Sequence, residues 1–443
     1  MAYPEAVLRR LEAAGAAPGD EVEVTDADGR QWRGIIMDHH EFSAADVLAL
    51  KLKSGYNVGV SLGSDTPLAL AAKAQASAKA AVAPLTASAD LPVVAILGTG
   101  GTIASFVDYR TGGVVPVSTP DELAAAVPEL VHTARVRPTI AFSMFSEDMQ
   151  PEHWRQLAHQ VKAEFDGGAK GVVITHGTDT MGFTAAALAF MLKDLPGPVV
   201  IVGAQRSSDR PSSDAAMNLH AAVAVAATAD IGEVVVVMHA TPDDDVCHIH
   251  RGVRVRKMHS SRRDAFHSIN APVLGRVDPA TPHSGGTPRV TLTQPVRRAT
   301  AGPVIVDDAM NERVAMIQSY PGLWPEHILD VVLDGVVLVG TGLGHVANRT
   351  FSALQTLSEQ GKFVAMATQC LHGRTGLNVY ATGRDLQNHG VVPCEDMLPE
   401  TAYVKLMWVL AHATDHADAV RLFQTDLAGE LSPRSPLSPE DAA

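Results

Sequence analysis

Residues 93–105 read VVAILGTGGTIAS and residues 171–181 read GVVITHGTDTM; each is a Val/Ile/Leu run that passes straight into a turn rich in Gly and Thr. Unbroken apolar runs of this length are what strands covered on both faces look like, because neither face is left to carry a polar side chain. The pattern returns in GPVVIVGA at 197–204 and GEVVVVM at 232–238, with helix-length segments between. Such alternation encodes an α/β fold with a largely parallel sheet, and residues 91–275 form the large α/β domain.

Outward from that core, residues 276–310 are rich in Pro, Thr and Gly and read as a connector. ERVAMIQSYPG (312–322), DGVVLVGTGLGHV (334–346) and GKFVAMATQC (361–370) resume the strand-then-turn rhythm, so 311–430 is a second, smaller α/β domain. Residues 431–443 are mostly Ser, Pro and charge and read as a flexible tail. On the other side, short alternating runs punctuated by Asp26-Ala-Asp-Gly29 make 1–67 a small β-barrel-like N-terminal domain of hairpins. The Ala-rich stretch 68–90 reads as a linker with helical tendency.

Composition bounds the function. The 443 residues are 46% hydrophobic and 19% charged, enough apolar material for two or three packed cores. Cys247, Cys370 and Cys394 form no C-x-x-C pair, so neither a disulfide framework nor a thiolate zinc site is encoded, and a reducing cytoplasm fits best. The start, with Glu5, Arg9, Arg10 and Glu12 among Leu and Ala, lacks the pattern of a secretory signal, and no stretch reads as a membrane helix. A net charge of −14 argues against broad nucleic-acid binding by this chain alone; if RNA is involved, another chain holds most of it.

Three segments carry chemistry. Gly98-Thr-Gly-Gly-Thr102 puts an exposed Thr102 in a tight turn at the carboxyl end of a buried strand, where open α/β sheets place their sites. A dinucleotide loop would need Gly at 103, where Ile stands, and the Gly-Lys-Ser/Thr end of a phosphate loop is absent. His176, Thr178, Asp179 and Thr180 occupy the same sheet edge; a hydroxyl beside a carboxylate suits hydroxyl activation and recognition of an amino group, although a Thr/Asp helix cap is the bland alternative. In RVRKMHSSRRDAF, Lys257 lies among Arg254, Arg256, Arg262 and Arg263. The arginines read as a solvated basic face, whereas cationic neighbours and partial desolvation can make a lysine a usable base.

Other signals weigh less. Gly59-Val-Ser61-Leu-Gly63 has the spacing of a nucleophile elbow but ends a small β unit. His239, Cys247, His248, His250 and His259 match no metal-ligand spacing. Asp209 and Asp214 follow a third strand, and Asp214 is equally a helix cap. Gly340-Thr-Gly-Leu-Gly344 reads as a structural turn.

TGGTIAS at 99–105 and HGTDTM at 176–181 resemble, in pairing and order, the two signature segments of the bacterial and archaeal L-asparaginase family, and the likeness covers about residues 91–425. The N-terminal unit, HRGVRVRKMHSSRRDAFHSIN and EDMLPETAYVKLMWVL resemble one branch more closely, the D subunits of archaeal glutamyl-tRNA(Gln) amidotransferases. The resemblance implies two asparaginase-like α/β domains and an amidohydrolase, glutaminase or asparaginase in type, in which Thr102 attacks a side-chain amide. It gives Thr178, Asp179 and Lys257 the role of a proton relay, and Ser146 and Glu147 that of binding the free amino-acid end of Gln or Asn. Tyr109, in a Gly-rich segment, would close over the site. By residue type alone, Thr102 and Thr178 are equally plausible as the acylated group.

The same resemblance implies a homodimer through the α/β domains and a partner, the amidotransferase E subunit, that holds most of the Glu-tRNA(Gln) and converts it with the ammonia released. ATP and magnesium belong at that partner, and no cofactor or metal is expected in this chain. The alternatives are a stand-alone L-asparaginase with an accessory N-terminal domain, and a silent amino-acid-binding protein. The joint presence of Thr102, Thr178, Asp179 and Lys257 argues against silence.

Overall fold

The computed structural model describes residues 3–37, 44–52, 57–63, 65–73, 87–100, 105–107, 114–116, 127–206, 213–279, 287–331 and 333–435. At the N-terminus, helix α1 (Glu5–Ala13) is followed by strands β1 (Glu21–Thr25), β2 (Gln31–Ile36), β3 (Val47–Leu52), β4 (Asn57–Ser61) and β5 (Leu68–Ala72). They form one antiparallel sheet in the order β4-β3-β2-β1-β5. The period-2 alternation of EVEVT sends Val22 and Val24 inward, where they meet Val7 and Leu11 of α1 and Ile36, Leu48 and Leu50. The β1–β2 turn closes on the Asp26 carboxylate, which accepts from the backbone amides of Asp28 and Arg30 and from the Trp32 indole.

β5 corrects the linker reading of 68–90, because Leu68–Ala72 pairs with β1 instead of trailing away. A small Ala/Leu run lacks the β-branched signature of a strand, but the exposed edge of β1 supplies the hydrogen bonds that its side chains do not specify.

The large domain contributes β6 (Val93–Gly98), the short pair β7 (Ser105–Val107) and β8 (Val114–Pro116), β9 (Arg135–Ile140), helix α2 (Pro151–Asp166) and β10 (Gly171–Thr175). There follow α3 (Met181–Met191), β11 (Leu192–Lys193), β12 (Val199–Val202), α4 (Ala215–Thr228), β13 (Val234–His239) and β14 (Cys247–Arg251). A small ribbon of β15 (Val255–Lys257) and β16 (Phe266–Ser268) precedes β17 (Gly275–Asp278), β18 (Arg289–Leu292) and β19 (Ile305–Val306). Eight strands make the main sheet in the order β18-β17-β14-β13-β12-β10-β6-β9, parallel from β13 to β9 and antiparallel from β13 to β18.

The connector reading of 276–310 is thereby corrected as well. β17 and β18 extend the main sheet, and β19 pairs with β11. These strands read as loop because an edge pair exposes alternate residues and so carries no continuous apolar run; RVTL in β18 alternates exposed and half-buried.

The smaller domain holds β20 (Val314–Gln318), α5 (Pro325–Leu329), β21 (Gly335–Gly340), α6 (Phe351–Glu359), β22 (Phe363–Thr368), α7 (Ala381–Asn388), β23 (Val392–Pro393), α8 (Pro399–His412) and α9 (His416–Phe423). Its four strands are all parallel, in chain order. Leu354, Leu357 and Ile328 cover one face of that sheet. On the other side α8 packs against α3, so both domains share the largest core. This explains why α3 (MGFTAAALAFM) is apolar on all sides: it lies between a sheet and a second domain.

The tail reading of 431–443 also changes for its first residues. The Ser432 amide donates to Asp396 and its hydroxyl accepts from Arg254, so the chain stays docked to at least this point, while 436–443 lie outside the described residues. Among the described residues no helix is long and apolar enough to cross a membrane.

Candidate active site at the carboxyl edge of the large sheet

Parallel strands β6, β9 and β10 end side by side, and the turns after them meet. At the end of β6, Thr99 is held by its amide and hydroxyl, both donating to the Thr175 carbonyl at 3.1 and 2.9 Å. Gly100 follows with φ +95°, and a Cβ there would lie 2.5 Å from the Met144 carbonyl oxygen, so only glycine lets the turn press against the segment after β9. Thr102 and Tyr109 lie outside the described residues.

The segment after β9 continues to Ser146 and Glu147. Ser146 is buried and Glu147 exposed. A Cβ on Gly177 would come within 2.6 Å of Ser146 Cβ, and the Thr180 hydroxyl donates to the Ser146 carbonyl at 2.6 Å. The second glycine-bearing turn is thus seated on the serine-bearing one. Thr180 is the residue preceding α3, but its side chain makes no helix cap; nor does that of Thr178. The capping alternative is displaced by tertiary hydrogen bonds.

Lys257, at the end of β15, reaches the same turn. Its ammonium donates to the Thr178 hydroxyl at 2.8 Å and to the Asp179 carboxylate at 2.9 Å. Thr178 is buried, the Lys257 side chain is 15% exposed, and that of Asp179 is 69% exposed. The structure therefore brings hydroxyl, ammonium and carboxylate into one chain, with the carboxylate open to a ligand and the hydroxyl shielded. That order of exposure suits a relay in which a proton moves internally while Asp179 meets a cationic group from outside.

The arginines around Lys257 are all paired with carboxylates, and only Arg262 is mostly exposed. Arg254 is fully buried against Asp396, Arg256 pairs with Glu400, Arg262 with Asp264, and Arg263 with Asp244. Each faces its own carboxylate, which leaves Lys257 to Thr178 and Asp179.

His176 shares the motif but not the edge. It is fully buried, with Nδ1 2.7 Å from the Gly177 carbonyl and Nε2 2.9 Å from the Thr184 hydroxyl. Desolvation pushes its pKa down to about 4. The indole of Trp154 donates to the same hydroxyl at 3.0 Å. Trp154 and Thr184 carry no motif of their own and lie on different helices, so nothing in the sequence pairs them.

Asp214 caps nothing with its side chain: the carboxylate accepts from the Gln205 and Arg206 amides and from Asn218, fastening the turn after β12. Asp209 lies outside the described residues. His239 touches Asn218 and Asp244, and Cys247 donates to Asn218, so His239 and Cys247 are engaged with α4 and with the turn between β13 and β14. Ser61 bonds to Asp46 at the end of the N-terminal sheet. The Gly340–Gly344 turn closes on itself through Thr341 and His345, with Gly342 and Gly344 at positive φ.

Comparison with known proteins bears on the fold and the family. Residues 93–288 match the family model described as asparaginase, N-terminal; residues 313–423 match the glutaminase/asparaginase C-terminal domain, and 16–66 match the GatD N-terminal domain. The glutamyl-tRNA(Gln) amidotransferase D subunit of Pyrococcus furiosus is 47% identical over 96% of this chain and 97% of its own length. That of Methanothermobacter thermautotrophicus is 45% identical over 99% of each. Among solved structures, the thermostable L-asparaginase from Thermococcus kodakarensis aligns with a TM-score of 0.67 at 32% identity, covering 77% of this chain and 99% of that one. A probable cytoplasmic L-asparaginase from Campylobacter jejuni aligns with a TM-score of 0.62 at 29% identity, covering 76% of this chain and 100% of the other. With two asparaginase-type domains behind a GatD N-terminal domain, the chain belongs to the family of glutamyl-tRNA(Gln) amidotransferase D subunits.

Proposed function

We propose that this chain is the amidohydrolase component of a tRNA-dependent amidotransferase, releasing ammonia from glutamine or asparagine through a threonine nucleophile. The observation that carries the reading is the contact of Lys257 with both Thr178 and Asp179 at the edge where Gly100 packs on Met144 and Gly177 on Ser146.

In this reading the Thr102 hydroxyl adds to the side-chain amide carbon, its proton passes to the leaving nitrogen, and ammonia departs as the ester forms. Water then adds to the ester and regenerates the hydroxyl with release of the free acid, so the atoms balance over the two steps. Thr178, Asp179 and Lys257 shuttle the proton and orient the attacking hydroxyl. Backbone amides near Thr102 and Thr178 hold the oxyanion, each donor contributing about 3–4 kcal/mol in comparable sites. Asp179 receives the substrate α-amino group, Ser146 and Glu147 bind the free amino-acid end, and Tyr109 closes over it.

The partner, the amidotransferase E subunit, carries ATP, magnesium and most of the Glu-tRNA(Gln), and uses the ammonia to make Gln-tRNA(Gln) in the cytoplasm. The exposed apolar residues of the smaller domain support a homodimer: Val379 is 62% and Tyr380 58% exposed, with Leu343 beside them.

The test is ammonia release from L-glutamine and L-asparagine by wild type and Thr102→Ala, with and without the partner and its charged tRNA. Thr102-dependent release that rises with partner and tRNA is the expected result. Equal, vigorous release by the chain alone would instead identify a stand-alone L-asparaginase with an accessory N-terminal domain.

A further inference from the structure

Lys257 stands near the tip of a two-stranded ribbon, β15 and β16, that belongs to neither main sheet. Two paired strands alone are marginal, so something else must fix where the tip points. Both ends of the ribbon are gripped by the smaller domain. Before it, Arg254 donates through Nη1 to the carboxylate and carbonyl of Asp396 at 3.0 and 3.1 Å, through Nε to the Gly429 carbonyl at 2.9 Å, and through Nη2 to Ser432 at 2.8 Å. After it, the Asn270 side-chain amide donates to the carbonyls of Gly373 and Asp396 at 2.8 and 2.9 Å and accepts from the Gly373 amide at 2.9 Å.

Arg254 and Asp396 are each 1% exposed, so the pair is shielded from water and geometrically strict. Asn270 has φ +55°, a left-handed conformation that Asn tolerates better than most residues and that turns its amide toward Gly373. The two grips meet on one residue: Asp396 receives Arg254 and Asn270 together. Val253 adds a third attachment, its carbonyl accepting from Thr401 of α8 at 3.0 Å.

We propose that Arg254 and Asn270, clasped on Asp396, are positioning residues for Lys257, so that the smaller domain sets how the lysine ammonium meets Thr178 and Asp179. The proposal rests on the relay reading of Lys257. None of the three touches substrate; they act through the ribbon.

Asn270→Gly is the informative variant, because glycine accepts the positive φ and only the amide hydrogen bonds are lost. Asp396→Asn keeps the volume and removes the charge that Arg254 faces. Both are assayed in the full chain, alone and with the partner, for kcat, KM, the pH profile of kcat and thermal unfolding, beside Lys257→Met. The expected result is a kcat lower by about tenfold or more with KM within about twofold, a displaced pH profile, and a folded protein at the assay temperature. If Lys257→Met is crippled but both clasp variants keep wild-type kcat and pH profile, or lose rate only in step with the unfolded fraction, the clasp is structural and the proposal fails alone. If Lys257→Met is fully active, the relay reading fails and the proposal with it.

Discussion

The Thr184 hydroxyl lies between the Trp154 indole and the His176 imidazole, accepting from Nε1 at 3.0 Å and standing 2.9 Å from Nε2. The Gly177 carbonyl can only accept, so Nδ1 of the neutral imidazole carries the proton and donates to it, and the bare Nε2 accepts the proton of the Thr184 hydroxyl. A neutral histidine of fixed tautomer therefore braces the turn that presents Thr178. Thr184→Val, nearly isosteric, would leave a buried indole N–H and a buried imidazole nitrogen without partners. The expected loss of stability is on the order of 2–6 kcal/mol, from about 1–3 kcal/mol for each of the two orphaned groups. Urea unfolding of the variant measures it, and a loss below about 1 kcal/mol on the same scale would mean that water replaces the hydroxyl.

Much of this is legible in the sequence because the residues involved obey strong local rules. The Val runs of β10 and β13 are apolar since both faces are covered, and their glycine–threonine turns mark the sheet edge by the same logic. Thr178, Asp179 and Lys257 are legible as candidates; their contact is not, because Lys257 is 79 residues from Thr178 and reaches it on a separate ribbon. Arg254 reads as solvated and is buried. A charged residue in a basic run looks exposed until its partner, Asp396, is placed by a second domain. β5 and β18 escape a reading of the sequence for a related reason: an edge strand takes its conformation from the neighbour it pairs with and needs little signature of its own.

Acid should unfold the protein in a window set by buried histidines. Desolvation holds His176 at about 4 and His250 at about 3, against 6.5 for a free imidazole. Below pH 6.5 the unfolded chain takes up protons that the native state refuses, so stability falls as pH drops through 6.5 and goes on falling until the folded values are reached. Each group contributes a slope approaching about 1.4 kcal/mol per pH unit, so the pair costs about 4 kcal/mol between about pH 7.5 and pH 5. The lowered carboxylates Asp264, Asp307 and Asp334 titrate in a more acidic window and leave this one distinct. Denaturant unfolding at the two pH values reads the difference; a flat profile would show that the imidazoles are hydrated.

Lys257→Met and Asp179→Asn should separate proton transfer from substrate binding. Lys257 is largely covered and bonds Thr178, so its loss should lower kcat by about 10²–10⁴-fold with little change in KM. Asp179 also faces solvent, where it would hold an amino group, so its amide variant should raise KM as well as lower kcat. Steady-state kinetics of ammonia release on both variants decides this. Matching effects on KM would remove the division of labour assigned to the two residues.

The C-terminal segment offers a test of how the smaller domain is closed. Lys405 of α8 and Glu430 are both wholly buried and paired, and the Lys405 ammonium also donates to the Thr425 carbonyl at 2.6 Å. Burial pulls the lysine pKa down while Glu430 pulls it back up. The carboxylate further accepts from the Leu427 and Ala428 amides, so it closes the loop between α9 and the tail. Removing only the cation strands a buried carboxylate: Lys405→Met should cost about 3–5 kcal/mol. Removing both charges should cost less, since the amide of Glu430→Gln still offers an oxygen to the two backbone donors. Lys405→Met/Glu430→Gln is therefore expected to be more stable than Lys405→Met alone, although it carries one more substitution. Chemical denaturation of the single and double variants gives the comparison. If the double variant is the weaker of the two, the Glu430 carboxylate gains more from its backbone donors than it loses by burial without Lys405.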